Sequence, residues 1–461
     1  MCQPPETAGE RQRSSQALTI ELQTKGIGAR MVALLALILL SFTLPSIRSL
    51  GADVADQASE SICFENGKWF DGEQFQSGSR CTAHGVFLKA LPDGSARSVD
   101  LEGGYVIPPF GDAHNHNFQG GSDTARTIHA HLADGVFYVK NLNNLPAMTD
   151  KIADQLNHAR SVDVTFANGG LTSSGGHVVA LHLRLVSYGV LPKDWTVNDL
   201  DGQAFTIIDG LPDLETKWAS VLDGRPDFIK VYLQNSEEFE KRRDDPAYNG
   251  RKGLDPALLP SIVARAHAAD LSVSVHINTA ADFRTAVEAG ADEIAHLPGV
   301  LFEASDGIAA YKLTKADAVR AARAGIRVTT TAAFSVDHLE DPKQRRRLET
   351  EILLPNLRLL QRHGVELVMG SDIFRDTSKK EAFYLSGLGI FSTLDILKMW
   401  CETTPRAIFP QRKIGRLEAG FEASFLVLAE NPLANFSAVS NIRHHIKQGV
   451  VLDLASLDKD S

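Results

Sequence analysis

His114 and His116 stand two residues apart just beyond an apolar run, Tyr105-Val106-Ile107-Pro108-Pro109-Phe110, which reads as a strand. Side chains on a strand alternate faces, so the two imidazoles point the same way. Two converging neutral imidazoles are half of a metal site, since this group ligates zinc and its first-row neighbours. A lone His-x-His also fits a pair of solvated side chains, so the metal reading depends on what else the chain brings to the same place.

The elements that would position such a site follow in regular order. From Ile62 to Val106 the chain is short strands and turns, punctuated by Asn66-Gly67, Asp71-Gly72 and Pro92-Asp93-Gly94. After His116 strands and helices alternate. Counting 106–113 as the first, strands are predicted at 135–140, 162–167, 228–233, 271–276, 293–296, 326–330 and 365–370. Helices are predicted at 124–133, 149–160, 256–269, 283–289, 316–324 and 353–363. Ala289-Gly290, Ala324-Gly325 and His363-Gly364 supply helix stop signals. Eight such repeats predict a parallel α/β fold closed as a (β/α)8 TIM-like barrel over 109–405. The β-rich segments 53–108 and 406–461 would pair into a small β-sandwich domain.

Chemistry in such a barrel sits at the C-terminal ends of the strands. There the first strand offers His114 and His116, the fourth Lys230, the fifth His276, the sixth His296, and the eighth runs into Ser371-Asp372. One match has a bland explanation; the set together does not. Tyr232, two beyond Lys230 on the same strand face, would either donate a hydrogen bond to a substrate carbonyl or simply pack. His177, in the Gly-rich loop Thr172-Ser173-Ser174-Gly175-Gly176, either touches substrate or is solvated. Asp372 could alternatively be a helix N-cap. His129, His131, His158, His267, His363, His444 and His445 are read as surface or core residues.

On Gly111-Asp112-Ala113-His114-Asn115-His116, Phe228-Ile229-Lys230, Ala289-Gly290-Ala291-Asp292-Glu293-Ile294-Ala295-His296 and Gly370-Ser371-Asp372, the chain resembles the amidohydrolase superfamily. Within it, the resemblance is to imidazolonepropionase-like and prolidase-like metal-dependent hydrolases. It implies that His114, His116 and Asp372 hold one divalent metal and His276 and His296 a second. Zinc is expected, with manganese, cobalt and iron as the other candidates. Lys230, carboxylated by carbon dioxide, would bridge the two metals, or remain an ordinary lysine beside a single metal. Asp372 would shuttle the proton in hydrolysis of an amide, dipeptide or cyclic amide. Superfamily deaminases place a Glu three residues after the His corresponding to His276; here that residue is Thr279, which argues against deamination. A lactonase or phosphotriesterase on the same site, and a metal-binding protein without turnover, are the alternatives. The charged segment 237–252 fits no substrate signature.

The net charge of −10 over 461 residues is spread out. With no basic cluster or P-loop, nucleic-acid and nucleotide binding are not expected, and the partner is a small-molecule substrate. A homo-oligomer is compatible with the sequence. Within the leader 1–52, Arg30 precedes an apolar run, Met31 to Leu40, followed by Pro45 and Gly51-Ala52, the pattern of a secretory signal peptide over about 30–52. The run is short for a bilayer span, so a secreted or periplasmic protein without stable membrane insertion is expected, with an N-terminal anchor as the alternative. In an oxidising compartment Cys63 and Cys81 would either bridge or stay as buried thiols; Cys401 reads as core.

Overall fold

A computed structural model describes residues 61–90 and 96–457. The predicted signal peptide lies outside the described residues, and among them no helix is long and apolar enough to cross a membrane.

Runs rich in Val, Ile and Phe, buried on both faces, form parallel strands, as expected where both faces of a sheet are covered. Phe110–Asn115, Val136–Asn141 and Asp163–Phe166 make a parallel sheet of three. Thr206–Ile207, Leu171–Thr172, Ile229–Tyr232, Val273–His276, Glu293–Ile294, Arg327–Thr329 and Leu367–Val368 make a parallel sheet of seven, in that order. Backbone bonds tie the two sheets at two places. The Ala113 N–H donates to the Met369 carbonyl at 2.7 Å, and the Asp227 N–H to the Phe166 carbonyl at 2.9 Å.

All eight strands expected from the sequence are present. Leu171–Thr172 and Thr206–Ile207 are additional, and at two residues each they are too short to show a period. The helices Ala280–Glu288 and Lys315–Ala324 open with capping boxes, Thr279 with Asp282 and Thr314 with Asp317. Gly290, Gly325 and Gly364 take positive φ where helices end. The helix expected at 149–160 is instead Pro146–Thr149 followed by a 3-10 stretch, Asp150–Gln155. Proline pre-sets the first turn at Pro146. Asn157 leaves helical geometry at φ 61°, its side chain accepting from the Val164 N–H at 2.8 Å.

The flanking segments do join. Val106 pairs with Trp69 on one side and with Val427 on the other. They form one eight-stranded mixed sheet where two stacked sheets were expected. The sheet curls back on itself, the Phe87 N–H donating to the Phe421 carbonyl at 2.9 Å and the Ala423 N–H to the Gly85 carbonyl at 2.8 Å. Phe64, Trp69 and Phe87 close on Phe425 inside the curl, with ring centroids 4.9, 5.3 and 5.8 Å from it. Cys63 and Cys81 face each other across an antiparallel pair and are disulfide-bonded, whereas Cys401 is a buried free thiol. Lys447, fully buried, anchors this sheet to the parallel strands through Asp163 at 2.6 Å.

Candidate metal centre

The first strand, Phe110–Asn115, is buried at every residue, and His114 leaves its end with 1% exposure. His116 lies just past the strand, and the Nε2 atoms of the two rings are 3.2 Å apart. Like-facing imidazoles at that separation repel if both are protonated. His114 avoids this by donating Nδ1–H to the Ala295 carbonyl at 2.9 Å, which leaves its Nε2 lone pair free for a ligand. Burial, with Lys230 and His116 nearby, also holds its pKa well below the usual imidazole value.

Asp372 completes the group. Its Oδ1 lies 3.3 Å from His114 Nε2 and 3.2 Å from His116 Nε2, and its Oδ2 lies 3.6 Å from His296 Nδ1. The ligand atoms of His114, His116 and Asp372 all fall within 4.8 Å of one another, the spacing of a metal triad. Asp372 caps no helix: the next one is Lys379–Gly387, preceded by Ser378. Its backbone sits in the left-handed region, φ 52°, held there by donating its N–H to the His114 carbonyl at 2.7 Å. Such a conformation in a non-glycine residue persists where the surroundings impose it, and it turns the carboxylate toward the histidines. Gly370 allows the approach, since a Cβ there would lie 2.4 Å from the His114 Cβ.

The remaining predicted ligands continue the cluster. His296 packs 4.4 Å from the His114 ring and 4.6 Å from His276, and its Nδ1 lies 3.0 Å from Thr331 Oγ1. Burial lowers the pKa of both His276 and His296, so they are neutral and their lone pairs are available. His276 Nε2 and Lys230 Nζ are buried with no hydrogen-bond partner. Two orphaned nitrogens in the same cavity are costly unless something binds them. A divalent cation beside His276 and an added anionic group on Lys230 would satisfy both. Burial pulls the Lys230 amine down to about 7, which makes the neutral amine accessible near neutral pH. The residues present therefore fit a metal centre.

Tyr232 follows Lys230 on its strand, with Nζ 5.4 Å from its ring centroid. Asn143 Nδ2–H donates to the Tyr232 hydroxyl at 3.2 Å, leaving the phenolic hydrogen free to point at a guest. Burial raises the Tyr232 pKa, so the phenol stays protonated. His177 is not a loop residue but the first residue of the helix His177–Ser187, and its ring stacks on His276 at 5.0 Å and 12°. Burial brings its pKa down to about 4, keeping it neutral. All eight predicted site residues line one cavity of about 250 Å³. Thr279 accepts from the Asp282 N–H at 3.2 Å and donates to Glu237 at 2.9 Å, so the position three after His276 holds a helix cap and no acid.

Sequence reasoning missed the supports. Buried Asp112 accepts from the Ser371 N–H and hydroxyl at 2.9 and 2.7 Å, and burial raises its pKa to about 6. Buried Glu293 receives Lys140 Nζ at 2.8 Å and the hydroxyls of Ser274 and Thr329 at 3.2 and 3.1 Å. Asp112 and Glu293 belong to the quoted motifs, but only their partners, distant in sequence, reveal what they do.

The model of the amidohydrolase family matches residues 105–452. Comparison with curated proteins finds no match. Among solved structures, the chain is similar to A. niger ochratoxinase, at 17% identity and a TM-score of 0.65, covering 85% of this chain and 95% of that one. It is similar to a Xaa-Pro dipeptidase with bound methionine in the active site, at 18% identity and a TM-score of 0.64, covering 86% and 100%. It is also similar to molinate hydrolase, at 15% identity and a TM-score of 0.65, covering 87% and 96%. At these identities the likeness is one of fold.

Proposed function

The chain belongs to the amidohydrolase family, and from that premise we propose that it is a metal-dependent hydrolase of C–N bonds in amides or related small molecules. One observation carries the reading: His114, His116 and Asp372, from opposite ends of the parallel strand order, meet within ligand distance beside two further buried imidazoles and an orphaned lysine amine. The two sheets, bonded to each other at two places, are read as one (β/α)8 barrel with the site at the C-terminal ends of its strands.

In this reading His114, His116 and Asp372 would hold one divalent cation and His276 and His296 a second, with zinc the first candidate. Lys230 Nζ, buried without a partner, would take up carbon dioxide as a carbamate and supply anionic oxygens to the cations. When bound, such cations supply an acidified water and polarise a carbonyl. Asp372 takes a proton from the attacking water on a carboxylate oxygen and passes it to the leaving nitrogen, which departs as a neutral amine. The Tyr232 hydroxyl, already accepting from Asn143, donates its hydrogen to the carbonyl oxygen as negative charge develops there. His177, neutral and stacked on His276, borders the substrate. Export is proposed as well, supported by the Cys63–Cys81 disulfide, since such bonds persist in oxidising compartments.

The test is metal analysis of the purified protein beside an amide-hydrolysis screen. Close to two metals per chain, activity abolished by a chelator and restored by zinc, and a loss of about 10³-fold or more in Asp372→Asn are expected. Full activity without metal, or in Asp372→Asn, would refute the reading.

A further inference from the structure

The cavity above the metal centre differs in character from its floor. Its walls are Leu145 and Met148 after the second strand, Leu181 and Leu185 of the helix His177–Ser187, Phe334 and Phe374. Val190 and Phe374 line it while remaining 66% and 57% exposed, so the apolar surface continues out to the mouth. The lining residues among those described include one lysine, Lys230, and no arginine, and that lysine sits at the base among the imidazoles.

The cations of the neighbouring charged segment are engaged elsewhere. Arg242 pairs with Glu238 at 2.7 Å and Arg251 with Glu303 at 3.3 Å, while Lys252 Nζ donates to the Arg243 carbonyl at 2.6 Å. Gln119 is likewise committed, its Nε2 donating to the His116 and Asn143 carbonyls at 3.0 and 2.7 Å. A substrate carboxylate entering this cavity would shed its water and find no guanidinium or ammonium on the walls to replace it. An uncharged chain would gain from every methylene it buried.

We propose that this site selects uncharged amides, or related C–N substrates, bearing a bulky apolar group, and discriminates against substrates whose acyl group carries a free carboxylate into the cavity. The proposal deepens the hydrolase reading and rests on it. In the reaction one water adds its oxygen to the carbonyl carbon, the C–N bond breaks, and the nitrogen leaves carrying the water's second proton. The products are a carboxylic acid and an amine. Leu181 and Leu185, one helical turn apart on the same face, are the specificity-determining wall.

The test uses the full-length, zinc-loaded protein and matched 4-nitroanilides. Acetyl, butanoyl, hexanoyl and octanoyl compounds form the neutral series; succinyl, adipoyl and suberoyl mono-anilides are the carboxylated counterparts. In the neutral series kcat/KM is expected to rise roughly threefold to fourfold per methylene until the cavity fills. Each carboxylated compound should fall at least 100-fold below its neutral match. In Leu181→Arg or Leu185→Arg, whichever keeps the wild-type circular dichroism, the suberoyl/octanoyl ratio should rise at least tenfold. A flat chain-length series, or carboxylated compounds within threefold of the neutral ones, would overturn the proposal. If neither series turns over, that counts against the hydrolase reading alone, and calorimetric binding of the same pairs decides the substrate class. Octanoyl anilide bound at least 30-fold more tightly than suberoyl supports it; equal or absent binding of both overturns it.

Discussion

Ser371 hands both its backbone N–H and its hydroxyl to the buried carboxylate of Asp112, at 2.9 and 2.7 Å. The same carboxylate accepts from the His114 N–H at 3.2 Å and from Asn115 Nδ2 at 3.0 Å. One side chain thus fixes the strand end that carries His114 and the turn that carries Asp372. Truncation in Asp112→Ala would leave these donors buried without acceptors, at a cost of about 3 kcal/mol of stability. It would also loosen the metal triad, lowering metal affinity by roughly 10- to 100-fold. Denaturant melts paired with competitive chelator titration check both. A variant less stable by that amount but with unchanged metal affinity would show that Asp112 supports the fold and not the site.

Tyr232→Phe removes one hydroxyl and leaves the ring against His276, 5.6 Å away between centroids. Because the phenol is placed to donate to charge that develops during the reaction, kcat should fall by about 10²-fold while KM and metal content change little. The Asn143 amide keeps its bond to the Ala204 carbonyl at 3.0 Å, so the local structure is expected to hold. Equal kcat in the two proteins would assign Tyr232 to packing.

These supports show where sequence reading ends. The ligands were legible because each stands at the end of an apolar run whose length and flanking turns mark a strand, as in Ser272-Val273-Ser274-Val275-His276. Lys230 could be placed the same way, but its lack of a partner could not, because an unsatisfied atom is defined by everything around it. Asp112 and Glu293 read as ordinary acids until Ser371, Lys140 and Thr329 arrive from elsewhere in the fold. His177 read as a loop residue because Gly175 and Gly176 mask a helix start that only the packing of Val178 and Val179 establishes. The curl of the flanking sheet lies in the same class: Phe64 and Phe425 meet from opposite ends of the described chain, and no local pattern announces it.

His131 gives the fold a signature in acid. Its ring is buried against Phe118 at 5.0 Å, with Nδ1–H donating to the Thr127 carbonyl at 2.8 Å and Nε2 accepting from Asn115 at 3.3 Å. Burial lowers its pKa to about 4. Unfolded, the imidazole titrates near 6.5, so between about pH 6.5 and 4 the unfolded chain binds the extra proton. The contribution of His131 to stability is therefore full above pH 6.5 and is lost as pH falls, by roughly 3 kcal/mol once pH 4 is passed. In His131→Leu the slope of unfolding free energy against pH should flatten by about one proton across that window, read from urea melts at pH 4.5 and 7. His177 and His445, also lowered to about 4 by burial, leave the rest of the slope in place. An unchanged slope would mean that the His131 ring is protonated in the folded state.

Lys230 offers the most direct check on how the two halves of the site are joined. Its Nζ is buried without a partner, among imidazoles that are themselves held neutral. An ammonium there would oppose any cation placed against His114 or His276, whereas a carbamate replaces that repulsion with attraction and supplies two oxygens. The carbamate forms when the neutral amine attacks carbon dioxide and loses a proton, so its formation must depend on dissolved carbon dioxide. Metal-free protein reconstituted with zinc in degassed, carbonate-free buffer should therefore take up less than its full complement of metal and stay mostly inactive. Added bicarbonate should restore both. Lys230→Met should ignore bicarbonate and retain at most one metal per chain, as elemental analysis would show. Reconstitution indifferent to bicarbonate, with two metals retained in Lys230→Met, would leave Lys230 an uncharged bystander and require another bridging group.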